Sequence, residues 1–418
     1  MKIGIVGAGI TGLALTHALH ARGVDVVTFE AAGRPGGVIR SATVNGRCLE
    51  YGPQRIRATP AVMALVEDLG LEDALWRGDP DAPLYVYADG ALRPVPRSLG
   101  QFLRTDLLSW RGKLRVLREP FGGTGPADGS AKEYFEAKFG PEAYDRLLGP
   151  LFGGIYASNP ARMPARHGLE RVIALDRDRG SLLRVALDRM GGDGDVPPPI
   201  TFAEGLATLP AALYEQHADR IELNTPVLEV TPDGDGGWEL ETSWGRTAVD
   251  HVVLTTPAAE SAELLGELID APLARLTYNS LAIVHLETDA ALDGFGYQTA
   301  RSAQLHTRGV TWNAGLFDRD GVVTAFLGGM DEPDVLDWTD ARLGSVAAEE
   351  FETVTGHDAA VLDVTRLPDR MPAYDDTWDV LPFLSLPDGI TLATNYTGRV
   401  GVPSRIREAD RVAEILAD

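Results

Sequence analysis

The sequence predicts a mixed fold: an α/β part on a parallel sheet, an α+β part with an antiparallel sheet, and an inserted run of helices. Three observations predict it. The first thirty residues run strand, glycine turn, helix, strand, the order of a βαβ unit. Residues 93–199 are helix-patterned and close on a Gly/Asp/Pro linker. Short strand-like runs separated by turns dominate from residue 221 onward.

The βαβ unit comes first. Lys2 to Val6 is an apolar run of strand length, and it breaks at Gly7-Ala8-Gly9-Ile10-Thr11-Gly12, a G-x-G-x-x-G. Ile10, Leu13, Ala14, Ala18 and Leu19 recur at helical spacing, and Val24 to Phe29 is a second strand that ends on Glu30. Gly7 permits a sharp turn, Gly9 lets backbone approach a pyrophosphate, and Gly12 lets helix pack on strand. The helix start offers unpaired N–H groups and positive dipole to phosphates. Glu30 can accept hydrogen bonds from a ribose diol, which an ordinary βαβ turn does not require. A bound dinucleotide is the expectation.

Bulk properties set bounds. A chain of 418 residues, 44% hydrophobic and 24% charged, is long enough for two or three globular domains. The formal net charge of −23 argues against nucleic acid as a partner. The start reads as strand and helix rather than a signal peptide, and no window reaches the apolar length of a membrane span. The one cysteine, Cys48, excludes a disulfide framework and fits a reducing, cytoplasmic setting. His17 and His20 stand at i, i+3 in the first helix. With no further ligand in sight, they read as helix-surface residues, and no metal is expected.

Just past Glu30 come Gly33-Arg34-Pro35-Gly36-Gly37-Val38 and then Leu49-Glu50-Tyr51-Gly52-Pro53-Gln54-Arg55-Ile56-Arg57. The paired glycines allow another close backbone approach to a large ligand, a plain loop being the alternative. The run E-x(3)-R-x-G-G followed by E-x-G-P resembles FAD enzymes of the amine-oxidase superfamily. With Ile-Arg after Gly-Pro, it is most similar to the protoporphyrinogen/coproporphyrinogen oxidase branch. The resemblance implies non-covalent FAD rather than NAD, in a Rossmann-like domain of the GR2 type. It implies contacts from Gly7, Gly9, Ile10, Thr11, Gly12, Glu30, Ala31, Arg34, Gly36, Gly37, Val38, Gly52, Pro53, Gln54 and Arg55. It also places the backbone of Val227 against the adenine.

Leu84 to Leu92 reads as a hairpin turning at Asp89-Gly90. The family commonly carries a basic residue just before this strand, where this chain has Asp81-Ala82-Pro83. The next stretch is the chain's exception: Arg93, Arg97, Arg104, Arg111, Lys113, Arg115 and Arg118 stand against the single acid Asp106. Leucines and Trp110 lie between them. Such a stretch can lie peripherally in a membrane interface. It can instead line the mouth of a channel for a polycarboxylate, or be a solvated helix pair. In the resembling family this region is a helical subdomain associated with membrane contact.

Lys132 to Leu148 is helix-patterned. Phe152-Gly153-Gly154-Ile155-Tyr156-Ala157-Ser158-Asn159-Pro160 resembles the family's F-x-G-x-Y-A-x-x-P, and Gly180-Ser181-Leu182 its later G-S-L. The resemblance puts this segment beside the cavity over the flavin, where glycines would let a flat substrate meet backbone. Crowding at a packed helix start is the alternative reason for them. Asp193-Gly194-Asp195, within the linker from Met190 to Pro199, lacks the twelve-residue spacing of a calcium loop. Phe202 to Pro210 opens a helix and carries a family-like G-L-x-x-L-P. Val227 to Val230, Trp238 to Thr242 and Val252 to Thr256 read as strands. Leu281 to Leu286, Val310 to Phe317 and Val322 to Leu327 are strand-like, and Asp340 to Thr355 is helical.

At the end, strand Ile390 to Thr394 leads through Asn395 to Ser404 into a helix. This geometry can aim a helix N-terminus at a flavin carbonyl, and the resemblance assigns Val400, Gly401 and Val402 to it. The chain departs from the family here, with Arg399 interposed and Ser404 for the usual Asp. It also lacks the His that usually follows the P-x-Y near Tyr374.

The expected organisation is a discontinuous FAD-binding domain (1–80, 200–265 and 380–418), a substrate domain (81–92 and 266–379) and a helical subdomain (93–199). The resemblance implies oxidation of a porphyrinogen, with FAD accepting hydride and dioxygen reoxidising it over three cycles. Arg93, Arg97, Phe152, Gly153 and Gly154 are the candidate substrate residues, and no catalytic acid or base is named. Two other readings stay open: another FAD amine oxidase or desaturase, and a flavin- or tetrapyrrole-binding protein without turnover.

Overall fold

The structure, a computed structural model, describes residues 1–191, 196–317, 319 and 321–418, without the side chains of 155, 156 and 189–191. The Asp193-Gly194-Asp195 reading lies outside the described residues. The chain forms two compact units: Met1–Arg77 with Pro197–Leu276 and Asp379–Asp418, and Gly78–Val196 with Thr277–Trp378.

The first unit is built on a five-stranded parallel sheet. Strand β1 (Lys2–Val6) lies between β2 (Asp25–Phe29) and His251–Leu254, with Ile221–Glu222 and Ile390–Leu392 at the edges. Helix α1 (Ile10–Ala21) connects β1 to β2. Residues from Ile10 to Leu19 are buried on every face except at His17. The reason is that α1 packs on the sheet and is covered by the C-terminal helix Val402–Ala417 through Ile406, Ala409, Val412 and Ala413. A helix enclosed in this way needs no polar face, so periodicity understated its burial. A three-stranded antiparallel meander, Val227–Pro232, Trp238–Thr242 and Gly245–Val249, accompanies the sheet.

The second unit carries a seven-stranded sheet. Its order is Ala360–Pro372, Tyr278–Glu287, Val322–Gly328, Thr307–Trp312, Gly296–Thr299, Leu84–Ala88 and Ala91–Pro94. Every pairing is antiparallel except that of Gly296–Thr299 with Leu84–Ala88. Asp89 and Gly90 both take positive φ, as the two-residue hairpin turn requires. Helix Asp340–Thr355 covers the sheet with Leu343, Ala347 and Phe351. The helical run shares this unit, and its interior holds a buried ionic knot. Lys138 Nζ lies 2.7 Å from both Glu119 Oε1 and Asp176 Oδ1. Tyr134 donates to Asp176, while Ser181 and the Leu182 and Leu183 N–H groups donate to Glu119. The Gly-Ser-Leu motif is thus an anchor for Glu119.

Three expectations need correction. Val310 to Phe317 is not one strand: it ends at Trp312, and Ala314–Phe317 is a helical turn. Lys132 to Leu148 is broken at Gly140, whose φ of 90° interrupts the helix. His17 is not a surface residue. Its Nδ1 lies 3.1 Å from Nε2 of the fully buried His217, which comes from 200 positions away.

Candidate functional site

The turn after β1 has the geometry of a phosphate cradle. Gly7 holds a φ of +103°, which favours glycine, and the Thr255 hydroxyl braces the turn by donating to the Val6 and Gly7 carbonyls. A Cβ on Gly12 would run into the Gly7 carbonyl oxygen, so the close packing of α1 on β1 requires glycine there. A Cβ on Gly9 would meet nothing, so space lies open in front of the helix start. Gly9 caps α1 without a side-chain acceptor, and no acid stands in the first turn. The first N–H groups of the helix, Ile10 and Thr11 among them, therefore face no competing anion.

Glu30 lies beside this turn and accepts from the N–H groups of Ala8 (2.7 Å) and Ala32 (2.9 Å). Gly36 and Gly37 both take positive φ, and the Gly36 N–H donates to Ala8 O at 2.8 Å, which draws the second glycine loop onto the first. Arg34 is spent within that loop, on the Gly37 carbonyl at 2.7 Å. Burial and Arg40 lower its pKa, against the opposing pull of Glu30. Ala31 and Val38 are exposed on the same loop. Gln54 turns inward to the Glu50 and Gly52 carbonyls, and Pro53 is half-buried beside it. Burial and Arg57 bring the Arg55 guanidinium down to about 10, so it remains a cation at neutral pH. Val227 begins the meander opposite Thr242.

The C-terminal loop explains its own departure from the family pattern. Arg405 is buried, and it donates to the Thr394 and Arg399 carbonyls. A Cβ on Gly398 would collide with its guanidinium. The interposed Arg399 and the displaced glycine are therefore parts of one loop wrapped on Arg405. Gly401 caps the last helix with open space around it, and no acid stands in the first turn. Val400 and Val402 flank it.

In the second unit, helix Gly149–Tyr156 presents Gly149, Gly153 and Gly154 to a small cavity, and Arg301 and Arg308 form part of the facing wall. A Cβ on Gly154 would strike the Gln298 side chain, so crowding also explains this glycine. Phe152 contacts Phe135 edge-on at 5.5 Å. Arg93 and Arg97 are not brought to the cavity. Arg93 pairs with Asp106 at 3.1 Å, and Arg97 donates to the Pro80 and Ala82 carbonyls and pairs with Asp81. Arg97 thus brings a guanidinium to the segment that lacked a basic residue. Arg301 and Arg308 went unnoticed in the sequence because no motif surrounds them. Among the described residues, no group of three or more His, Cys, Asp or Glu could hold a metal ion.

Comparison with known proteins decides the family. The model of flavin containing amine oxidoreductases matches residues 10–417. This chain belongs to that family. Protoporphyrinogen oxidase 1 of Spinacia oleracea chloroplasts is 28% identical, over 88% of this chain and 74% of its own length. Coproporphyrinogen III oxidase of Staphylococcus aureus is 26% identical, over 89% and 88%. A crystal structure from Exiguobacterium sp. 255-15, provisionally named a protoporphyrinogen oxidase, superposes with a TM-score of 0.81 at 26% identity, over 100% and 98% of the two chains. The protein is an FAD-dependent oxidoreductase, and the family membership brings FAD as its cofactor. The residues present fit that group: a donor-rich helix start, an acid at the end of β2 and open space in front of Gly9.

Proposed function

We propose that this protein oxidises a porphyrinogen, protoporphyrinogen IX or coproporphyrinogen III, to the porphyrin, with dioxygen as the electron acceptor. The observation that carries the proposal is the match to relatives of both names over nearly nine-tenths of the chain.

In this reading FAD is held by the residues named from the resemblance. The N–H groups at Gly9 to Gly12 would hold the pyrophosphate, Glu30 the ribose, and the helix start at Gly401 the flavin. Acceptance of hydride is the cofactor's chemistry when bound. The chain's own part is to orient the cofactor and to present the substrate.

The basic helical stretch supports peripheral contact with a membrane. Leu99, Leu103, Trp110, Leu114 and Phe121 are exposed, Trp110 at 68% and Phe121 at 86%. Arg104, Arg111 and Arg118 are exposed among them. No helix among the described residues is long and apolar enough to cross a membrane.

The test is direct. The purified protein should show a flavin spectrum. Coproporphyrinogen III or protoporphyrinogen IX in air should then give porphyrin fluorescence above the autoxidation blank. Flavin without that rise removes the porphyrinogen reading and leaves an amine oxidase, a desaturase or a binding protein. Turnover that persists with an artificial acceptor but fails in air removes dioxygen.

A further inference from the structure

The cavity beside helix Gly149–Tyr156 lies wholly within the second unit. It has ≈ 350 Å³ of empty space, part of it open to solvent. Its enclosed part suits a small polar group rather than a ring. One wall is backbone at Gly149, Gly153 and Gly154, and the other carries Arg301, Arg308 and Asp331.

Both guanidiniums are aligned by acids that have other partners. Arg301 pairs with Asp331 and donates to the Ser158 carbonyl at 3.1 Å. Asp331 also accepts from Asn159 Nδ2 at 2.7 Å. Arg308 Nη2 lies 3.0 Å from Glu332, which His306 Nδ1 also approaches at 3.2 Å. A guanidinium has five N–H donors, so these contacts leave donors over on each. Arg308 also keeps its Nε buried and, among the described residues, without a hydrogen-bond partner.

The two acids roughly neutralise the wall. A ligand is therefore recognised by directed N–H donors rather than by a broad positive field. Two planar forks suit a planar anion that takes paired hydrogen bonds, and a carboxylate has that shape. Placing two guanidiniums side by side is itself unfavourable: burial first, and Arg308 second, lower the pKa of Arg301. An entering anion offsets the repulsion between the two guanidiniums.

We infer that Arg301 and Arg308 form a carboxylate subsite that takes one acid side chain of the tetrapyrrole. The inference rests on the porphyrinogen reading for the identity of the ligand, but the subsite can be tested without it. Arg308 is a specificity residue here, and it takes no part in the redox step.

Two measurements decide it. In mild detergent, coproporphyrin III should bind the flavin-loaded wild type at least tenfold more tightly than its tetramethyl ester, read by quenching of porphyrin fluorescence. Arg308→Gln should lose that preference, and Arg308→Lys should keep part of it, with flavin content and near-UV circular dichroism unchanged in both. An acid-to-ester ratio that is equal in wild type and Arg308→Gln overturns the assignment to the tetrapyrrole. The second probe contains no tetrapyrrole. Glutarate should slow phenylglyoxal modification of Arg301 and Arg308, mapped by mass spectrometry. Slowing without porphyrin binding leaves a carboxylate site and removes the porphyrinogen reading. No slowing overturns the subsite.

Discussion

Replacing Lys138 with Met tests whether the ionic knot holds the second unit together. The side chains of Lys138, Glu119 and Asp176 are 2%, 0% and 1% exposed, so solvent cannot take over from the lost ammonium. Burial alone would lower the Lys138 pKa, but its hydrogen bonds to Asp176 and Glu119 outweigh burial and raise it. Burial alone would raise Glu119, but donation from Lys138, Ser181, Leu182 and Leu183 holds it below the usual carboxylate range. Removing one partner of a buried ion pair costs about 3–5 kcal/mol, because the remaining charge is left without compensation. For a unit of this size the midpoint should fall by roughly 6–20 °C. Differential scanning calorimetry of the full flavin-loaded chain at pH 8 reads this shift.

The pH dependence gives a second check. Glu119 has a folded pKa below its unfolded value, so its contribution to wild-type stability is present above the unfolded value and is lost as pH falls through the folded one. Lys138 has a raised folded value, so its contribution is lost only as pH rises through that value. In Lys138→Met the Glu119 carboxyl is left without its cation and takes up a proton more readily. The deficit should therefore be smaller at pH 5 than at pH 8. A variant within about 1 kcal/mol of wild type at pH 8, the range of an exposed ion pair, would refute the reasoning.

Three further outcomes are expected. Gly12→Ala drives a Cβ into the Gly7 carbonyl, so the variant should purify without flavin or release it on gel filtration; full flavin content would count against the cradle. Burial, together with His17, His20 and Arg220 and against the weaker pull of Asp219, lowers His217 to about 4. Its stabilising contribution is thus complete above pH 6.5 and declines by roughly 3 kcal/mol as pH falls toward 4. Urea titrations of His217→Asn should show a flatter profile across that window, and an unchanged slope would contradict this account. The triple variant Arg104→Glu, Arg111→Glu, Arg118→Glu should lose flotation with anionic liposomes that wild type shows at low salt; equal flotation, or none by wild type, removes the proposed membrane contact.

The legible parts of the structure are those whose contacts are local. Gly7, Gly9, Gly12 and Glu30 could be read from the chain because strand, turn, helix and strand meet within thirty residues. The hairpin at Asp89-Gly90 and the helix Asp340–Thr355 could be read for the same reason. The basic stretch was visible as charge, but not its division. Lys113 is buried on the Leu103 carbonyl, Arg115 reaches the Lys138 carbonyl, and Arg93 and Arg97 turn to backbone and acids. Among the described residues of the stretch, Arg104, Arg111 and Arg118 are exposed and remain to meet an external partner.

By itself the sequence determined a bound dinucleotide, because its cradle is a short-range pattern of glycines and one acid on a βαβ unit, and the resemblance at Gly36-Gly37 and Gly52-Pro53 made it FAD. Tertiary structure alone decided the rest. It buried α1 on all sides, joined His17 to His217 and closed the knot around Lys138. It also set Arg301 and Arg308 opposite the glycines of a helix some 150 positions earlier. Such pairings have no periodicity and no fixed spacing. They exist only where strands distant in sequence become neighbours in a sheet, and that neighbourhood depends on the energy of the whole core.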